Sequence, residues 1–210
     1  MSGKVADLRT LRRELTRRRI LDAAWELARE QGLPGLTMRD LGAAVGMRAQ
    51  SLYSYFPSKH AIYDAMFAQG NRALLDRYAE KDAADAGDRG RGRGRDNPDA
   101  RLCRLNRIWL EFCAEDPVRH QLLIQRPIPG FEPSAESYRA AAEVLDLTRA
   151  AVHACGVTSP RAFDMFTGLT AGLAAQQNAN DPGGTRWLRL ADEAVEMFLQ
   201  HYRHRHGGSP

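Results

Sequence analysis

Six side chains in one short stretch can hydrogen-bond to a nucleic acid: Arg48, Gln50, Ser51, Tyr53, Tyr55 and Lys59, with Thr37 just upstream. A guanidinium presents a fork that fits guanine O6 and N7, and a primary amide fits adenine N6 and N7. Each good pair discriminates against the wrong base by about 1–3 kcal/mol. Hydroxyls, phenols and an ammonium suit phosphate oxygens instead, where they fix register without reading sequence.

Two short helices joined by a glycine turn would present them. Thr37 can cap the first, its hydroxyl accepting from an otherwise orphan backbone N–H, and Asp40 stands three residues on in capping-box position. Met38, Leu41 and Val45 recur at helical spacing and give this helix one apolar side. Gly46 supplies the turn, because a residue without Cβ takes φ > 0 at little cost. A second helix is expected from about Arg48 to Phe56, with Met47, Leu52 and Phe56 inward and Arg48, Gln50, Ser51 and Tyr53 outward. Pro57 ends it, since the residue before a proline avoids the helical region, and Ser58 can cap a further helix from Lys59. This is the layout of a helix-turn-helix DNA reader.

With the preceding helix the likeness becomes specific. Arg17 to Gly32, the Leu36-Thr37 lead-in and Leu52-Tyr-Ser-Tyr-Phe-Pro-Ser-Lys59 together resemble the N-terminal domain of the TetR family of transcriptional regulators, over roughly residues 14–68, about a quarter of the chain. The resemblance implies an all-α fold of about nine helices. A three-helix DNA-binding domain (1–60) would precede a helical ligand-binding and dimerisation domain (61–210). It also implies a dimeric repressor of a palindromic double-stranded DNA operator, released by a small-molecule inducer. Thr37, Tyr53, Tyr55 and Lys59 match the family's phosphate contacts, although either tyrosine ring can instead pack between helices. Arg48 and Gln50 depart from the family, which commonly carries a small hydroxyl residue at the first position and a small residue or proline at the second. Either they read base edges and set the operator, or Arg48 touches phosphate and Gln50 faces solvent.

Charge supports the placement. Residues 1–60 hold eleven Lys and Arg against six Asp and Glu, a surplus of five in a chain whose net charge is +4, so the remainder sums to −1. Positive charge concentrated at one end is an electrostatic footprint for DNA. The basic run Arg9 to Arg19 reads as an arm or an extended helix start that touches phosphates, or as a frayed, solvated terminus. With 210 residues, 43% apolar and 27% charged, the composition is that of a globular protein of one or two domains. No apolar run approaches the roughly 18 residues of a membrane span, and no secretory segment follows Met1. Cys103, Cys113 and Cys155 are scattered and odd in number, as in a reduced, cytoplasmic protein.

The rest of the chain reads as helical. Residues 87–98 alternate glycine with arginine and are expected to form a flexible loop, and 203–210 a disordered tail. The last two long helices, from about Pro160 and Thr185, suggest a hairpin. The resemblance implies homodimerisation through them, and Gly168, Ala171, Gly172, Ala174 and Ala175 would permit close approach there or pack inside one subunit. It further implies a ligand pocket among the middle helices, with Trp109, Phe112, Cys113, His120, Tyr138, Phe163, Phe166 and Thr170 as candidates. All of these equally suit a plain core; His120 and Tyr138 are the polar handles, unless His120 lies on the surface. The chain has no GxxxxGK loop, HExxH pair or Gly-x-Ser-x-Gly elbow, so no enzyme, cofactor or metal site is expected. His201, His204 and His206 sit in a polar terminus.

Overall fold

The computed structural model describes residues 2–89 and 97–206. Among these the fold is all-α, with nine α-helices and no strand. In chain order they are α1 (Ser2–Gln31), α2 (Met38–Val45), α3 (Ala49–Leu52), α4 (Lys59–Arg89), α5 (Pro98–Glu115), α6 (Pro117–His120), α7 (Ala135–Ala154), α8 (Pro160–Asn180) and α9 (Ala191–His206). A π-helical turn, Gln121–Gln125, follows α6, and a 3₁₀ turn, Leu188–Leu190, leads into α9. Among the described residues no helix is long and apolar enough to cross a membrane.

The chain packs as two units, Met1–Gly70 with Gln121–Tyr138, and Asn71–His120 with Arg139–Pro210. This partition by packing is not the division expected at residue 60, because α4 contributes to both units and 121–138 belongs to the first.

In the first unit, Ile20, Ala24 and Ala28 recur every fourth residue on α1 and are fully buried, with Leu33, Leu36, Leu41, Leu52, Ile62 and Met66. Tyr63 is also fully buried and donates its phenol proton to the Leu33 carbonyl; desolvation pushes its pKa up to about 12. The segment after the π-turn is tied to α4 by Asp64. One carboxylate oxygen accepts from Ser134 N at 2.7 Å, the other from Ser134 Oγ at 2.9 Å and Ser137 Oγ at 2.8 Å. Phe131 meets Tyr63 edge-on, with ring centroids 5.8 Å apart.

In the second unit α5, α8 and α9 share a core that includes Leu102, Leu105, Phe112, Phe163, Ala174, Val195 and Phe198. Asn106 is buried there and donates to the Ala191 carbonyl at 2.9 Å, where the last helix begins. Gln177, 1% exposed, braces the α8–α9 turn: its Oε1 accepts from Trp187 N at 2.9 Å, and its Nε2 donates to the carbonyls of Gly184, at 3.1 Å, and Asp181. Such a buried amide holds only because its donors and acceptor are all used. Arg203 ties α9 down with a bidentate pair to Asp99 (2.6 and 2.7 Å) and bonds to the Cys155 carbonyl.

Several expected boundaries move. The helix read from Arg48 to Phe56 is α-helical only over Ala49–Leu52; Tyr55 N and Phe56 N both return to the Leu52 carbonyl at 2.9 Å, tightening the end before Pro57. Helix α1 starts at Ser2, which makes the basic run an extended helix start and not a separate arm. Of the expected 87–98 loop, residues 87–89 are helical, α5 begins at Pro98, and residues 90–96 lie outside the described residues. The expected tail is helical to His206, and 207–210 lie outside the described residues.

Candidate nucleic-acid interface

The reader begins at Thr37, an extended residue (φ −122°, ψ 152°) that caps α2. Its Oγ1 accepts from Asp40 N at 3.1 Å and donates to Asp40 Oδ2 at 2.6 Å. The hydroxyl's single proton is therefore committed to a carboxylate, and Thr37 can meet a phosphate only by giving that bond up. Helix α2 stops at Gly46, whose left-handed backbone (φ 70°, ψ 31°) lets Met47 N bond the Gly42 carbonyl at 2.8 Å. Gly42 matters as much, and local sequence pattern does not single it out. A Cβ there would lie 2.7 Å from the Met47 carbonyl oxygen and 3.2 Å from Ala49 N, so only glycine lets α2 approach the start of α3 this closely. A second glycine four residues before the turn is the one signal the letters offer.

Arg48 is the N-cap residue of α3, and Leu52 and Phe56 anchor the segment inward at 0% and 1% exposure. Arg48, Gln50, Ser51 and Tyr53 are exposed, and neither the Arg48 nor the Gln50 side chain is held by an internal hydrogen bond or ion pair among the described residues. Tyr55 is half-buried under the Arg13 guanidinium, 5.4 Å from its centroid. Lys59 Nζ donates to the Pro34 carbonyl at 2.9 Å and lies 5.5 Å from the Tyr63 ring centroid. Its ammonium thus braces the α1–α2 connection with one of three donors. Ser58 Oγ accepts from Ala61 N at 3.0 Å and caps α4.

Two arginines of the basic run have a role that charge alone does not reveal. Arg13 donates to the Ser54 carbonyl at 2.7 Å; Arg17 donates to the Tyr55 carbonyl and lies 4.1 Å from the Phe56 ring centroid. They satisfy the orphan carbonyls at the end of the reader and fix its seat on α1. Arg12, Arg18 and Arg19 remain exposed.

The ligand candidates fall in both units. Trp109, Phe112, Cys113, His120, Phe163, Phe166 and Thr170 belong to the second unit, whereas Tyr138 belongs to the first, is 49% exposed and stacks on Phe67 at 6.3 Å. Phe166 packs on Phe198 of α9 at 5.1 Å, Phe163 lies beneath Arg149 at 4.6 Å, and Thr170 Oγ1 donates back to the Thr167 carbonyl at 3.2 Å. Phe112 lies under Arg119 at 3.5 Å, and desolvation raises the Cys113 thiol far above its ordinary value. His120 is not a surface residue: it is 2% exposed, meets Trp109 edge-on at 6.5 Å, and contacts Asn178, a residue that no sequence motif singles out.

Comparison with known proteins places the N-terminal segment. Residues 20–66 match the family described as bacterial regulatory proteins, tetR family. The HTH-type transcriptional repressor DrrR1 of Streptomyces coeruleorubidus is 33% identical over 166 residues, which are 78% of this chain and 54% of that protein. Over its N-terminal domain the chain is similar to the TetR family. It spans only about half the length of DrrR1. Solved structures of transcriptional regulators share the fold. PfmR from Thermus thermophilus superposes with a TM-score of 0.62 at 17% identity, covering 87% of this chain and 97% of its own. FadR from Bacillus subtilis, solved in complex with stearoyl-CoA, gives 0.65 at 16%, covering 86% and 96%.

Proposed function

We propose that this protein is a TetR-family, sequence-specific DNA-binding transcriptional regulator, a homodimeric repressor of a palindromic operator that a small molecule releases. The observation that carries the reading is the start of α3: a glycine-built turn and a buried Leu52 hold the backbone, while Arg48 and Gln50 stand exposed and unengaged. Long forked donors on a rigid support are what base-edge readout requires. The relatives support a regulator and not an enzyme, since they are named as repressors and transcriptional regulators.

A dimer follows from the small reach of one reader, because two copies about 34–36 Å apart, or a multiple, engage successive half-sites. Met165 on α8 and Met197 on α9 are 58% and 56% exposed, and Gly168 and Gly172 on α8 have open space before them. This apolar, small-residue face suits a second copy of the same two helices. Release would be a population shift, in which the ligand favours a conformation whose readers are wrongly spaced. FadR's complex with stearoyl-CoA shows a neighbour in the fold that holds a ligand. We place the protein in the cytoplasm, with DNA as its partner and no membrane.

Competition between genomic fragments and random duplex, repeated across salt concentrations, tests the reading. A specific regulator retains some fragments with a gain of about 10³–10⁷ over random DNA. Uniform binding that vanishes with salt would mean a non-specific, structural DNA binder instead.

A further inference from the structure

His120 is almost fully buried, at 2% exposure, and among the described residues only one of its ring nitrogens is partnered. Asn178 Nδ2 lies 3.1 Å from His120 Nδ1 and 3.2 Å from the Cys113 carbonyl oxygen. That carbonyl can only accept, so the amide must present its NH₂ here; the flipped amide would set oxygen against oxygen. Both amide protons are then committed, one to Cys113 and one to Nδ1. Nδ1 is therefore the bare, accepting nitrogen, and the proton sits on Nε2.

Protonating the ring would set an Nδ1–H against the Asn178 N–H, donor against donor. Burial also lowers the pKa of His120 below its ordinary value. The imidazole is thus neutral, with one N–H to give. That Nε2 is buried and has no hydrogen-bond partner among the described residues. The Trp109 indole gives the ring one apolar neighbour. Trp109 meets the ring edge-on at 6.5 Å and packs on a cluster of Leu110, Cys113, Ala174 and Ala191, with Leu173 and Leu188. Native proteins seldom leave a buried donor unused, and such exceptions call for a partner.

We propose that His120 Nε2–H is the hydrogen-bond donor to a ligand of the second unit, and that this ligand is uncharged, largely apolar and carries an acceptor oxygen such as a ketone or quinone carbonyl. The inference rests on the ligand-release reading above and gives that ligand its chemistry. A cation cannot accept the proton. The Arg119 guanidinium is engaged over the Phe112 ring and with the Phe112 carbonyl, so a carboxylate brought to Nε2 would trade its hydration chiefly for one neutral donor, which does not offset the loss. An aromatic frame suits the exposed part of the Trp109 indole, and an acceptor oxygen completes the only donor that Asn178 leaves open. The Asn178 amide acts as a positioning group, because it fixes both the tautomer and the orientation of the imidazole.

The test uses the full-length protein and a panel of one- to four-ring aromatic ketones and quinones, each paired with the hydrocarbon that lacks the oxygen. Binding is read by tryptophan fluorescence, and the His120 ring by long-range ¹H–¹⁵N correlation, its signals assigned from their loss in His120→Phe. The free protein should show a neutral Nε2–H tautomer at pH 7; an Nδ1–H tautomer or an imidazolium overturns the proposal without any ligand. At least one carbonyl compound should bind roughly 10- to 100-fold tighter than its hydrocarbon, move the Nε2–H proton resonance downfield, and lose that advantage in His120→Phe. Equal binding of each pair would mean that solvent already serves the donor, and would overturn the proposal, as would a panel that does not bind.

The same compounds are then added to the protein on its selected DNA. Release by hydrocarbons and carbonyl compounds alike, with an unmoved Nε2 signal, leaves a ligand-responsive regulator and removes His120 from it. A carbonyl compound that shifts Nε2 but releases no DNA supports the site and overturns ligand release.

Discussion

Arg17 decides between two uses of the same positive charge. If it holds the reader to α1, replacing it by methionine keeps the aliphatic stem but removes the bond to the Tyr55 carbonyl and the contact with the Phe56 ring, 4.1 Å away. A hydrogen bond from a charged donor is worth about 1.5–3 kcal/mol, and half exposure places Arg17 at the low end. A partly exposed cation–π contact adds about 0.5–1 kcal/mol. The loss is then about 2 kcal/mol, which for a chain of this length lowers Tm by about 4–8 °C. Thermal unfolding by circular dichroism, alongside DNA titrations at several salt concentrations, reads both quantities. Arg17→Met should lower Tm and leave the slope of log Kd against log salt unchanged, while exposed Arg18→Met leaves Tm where it was. An unchanged Tm with the slope reduced by about 0.9 per phosphate, about 1.8 for a dimer, would refute the bracing role and return Arg17 to the DNA backbone.

Other outcomes follow from the same geometry. Arg48→Ala and Gln50→Ala should each relax preference at a defined half-site position by about 1–3 kcal/mol, measured as Kd over single-base variants of the selected site. Gly42→Ala sets its Cβ 2.7 Å from the Met47 carbonyl oxygen, so it should lower stability more in urea melts than Gly46→Ala, which meets open space and costs about 1–2 kcal/mol through its left-handed backbone. His120 has a folded pKa below the ordinary 6.5, so the unfolded chain binds its proton more readily. The stability from its burial is complete above pH 6.5 and declines as pH falls below that value toward the folded pKa; in His120→Gln this part of the pH dependence should vanish. Met165→Glu with Met197→Glu places charge on the exposed α8–α9 face and should yield a monomer by sedimentation velocity, where an unchanged mass would remove this face as the interface.

The helical architecture was legible because periodic apolar residues mark buried faces: Leu41 on α2 and the anchors Leu52 and Phe56 are visible in the letters alone. Gly46 announced the turn because few residues tolerate a positive φ. Gly42 went unnoticed, since its need arises from a neighbouring helix and not from its own backbone angles. Arg13 and Arg17 illustrate the same limit. A basic run reads as charge for phosphate, and only three-dimensional proximity reveals carbonyls that need donors. In the second unit, aromatic residues suited core and pocket equally, so composition had no power to group them. The burial of His120 and its pairing with Asn178 arise from long-range packing that local pattern does not encode.

Selection of binding sites from a random duplex library at near-physiological salt tests the central claim most directly. A dimeric sequence-specific regulator enriches a palindrome whose half-sites lie about one DNA turn apart or a multiple of it, with base preference that moves when Arg48 or Gln50 is replaced. Retention of DNA at low salt without any enriched sequence would contradict the account.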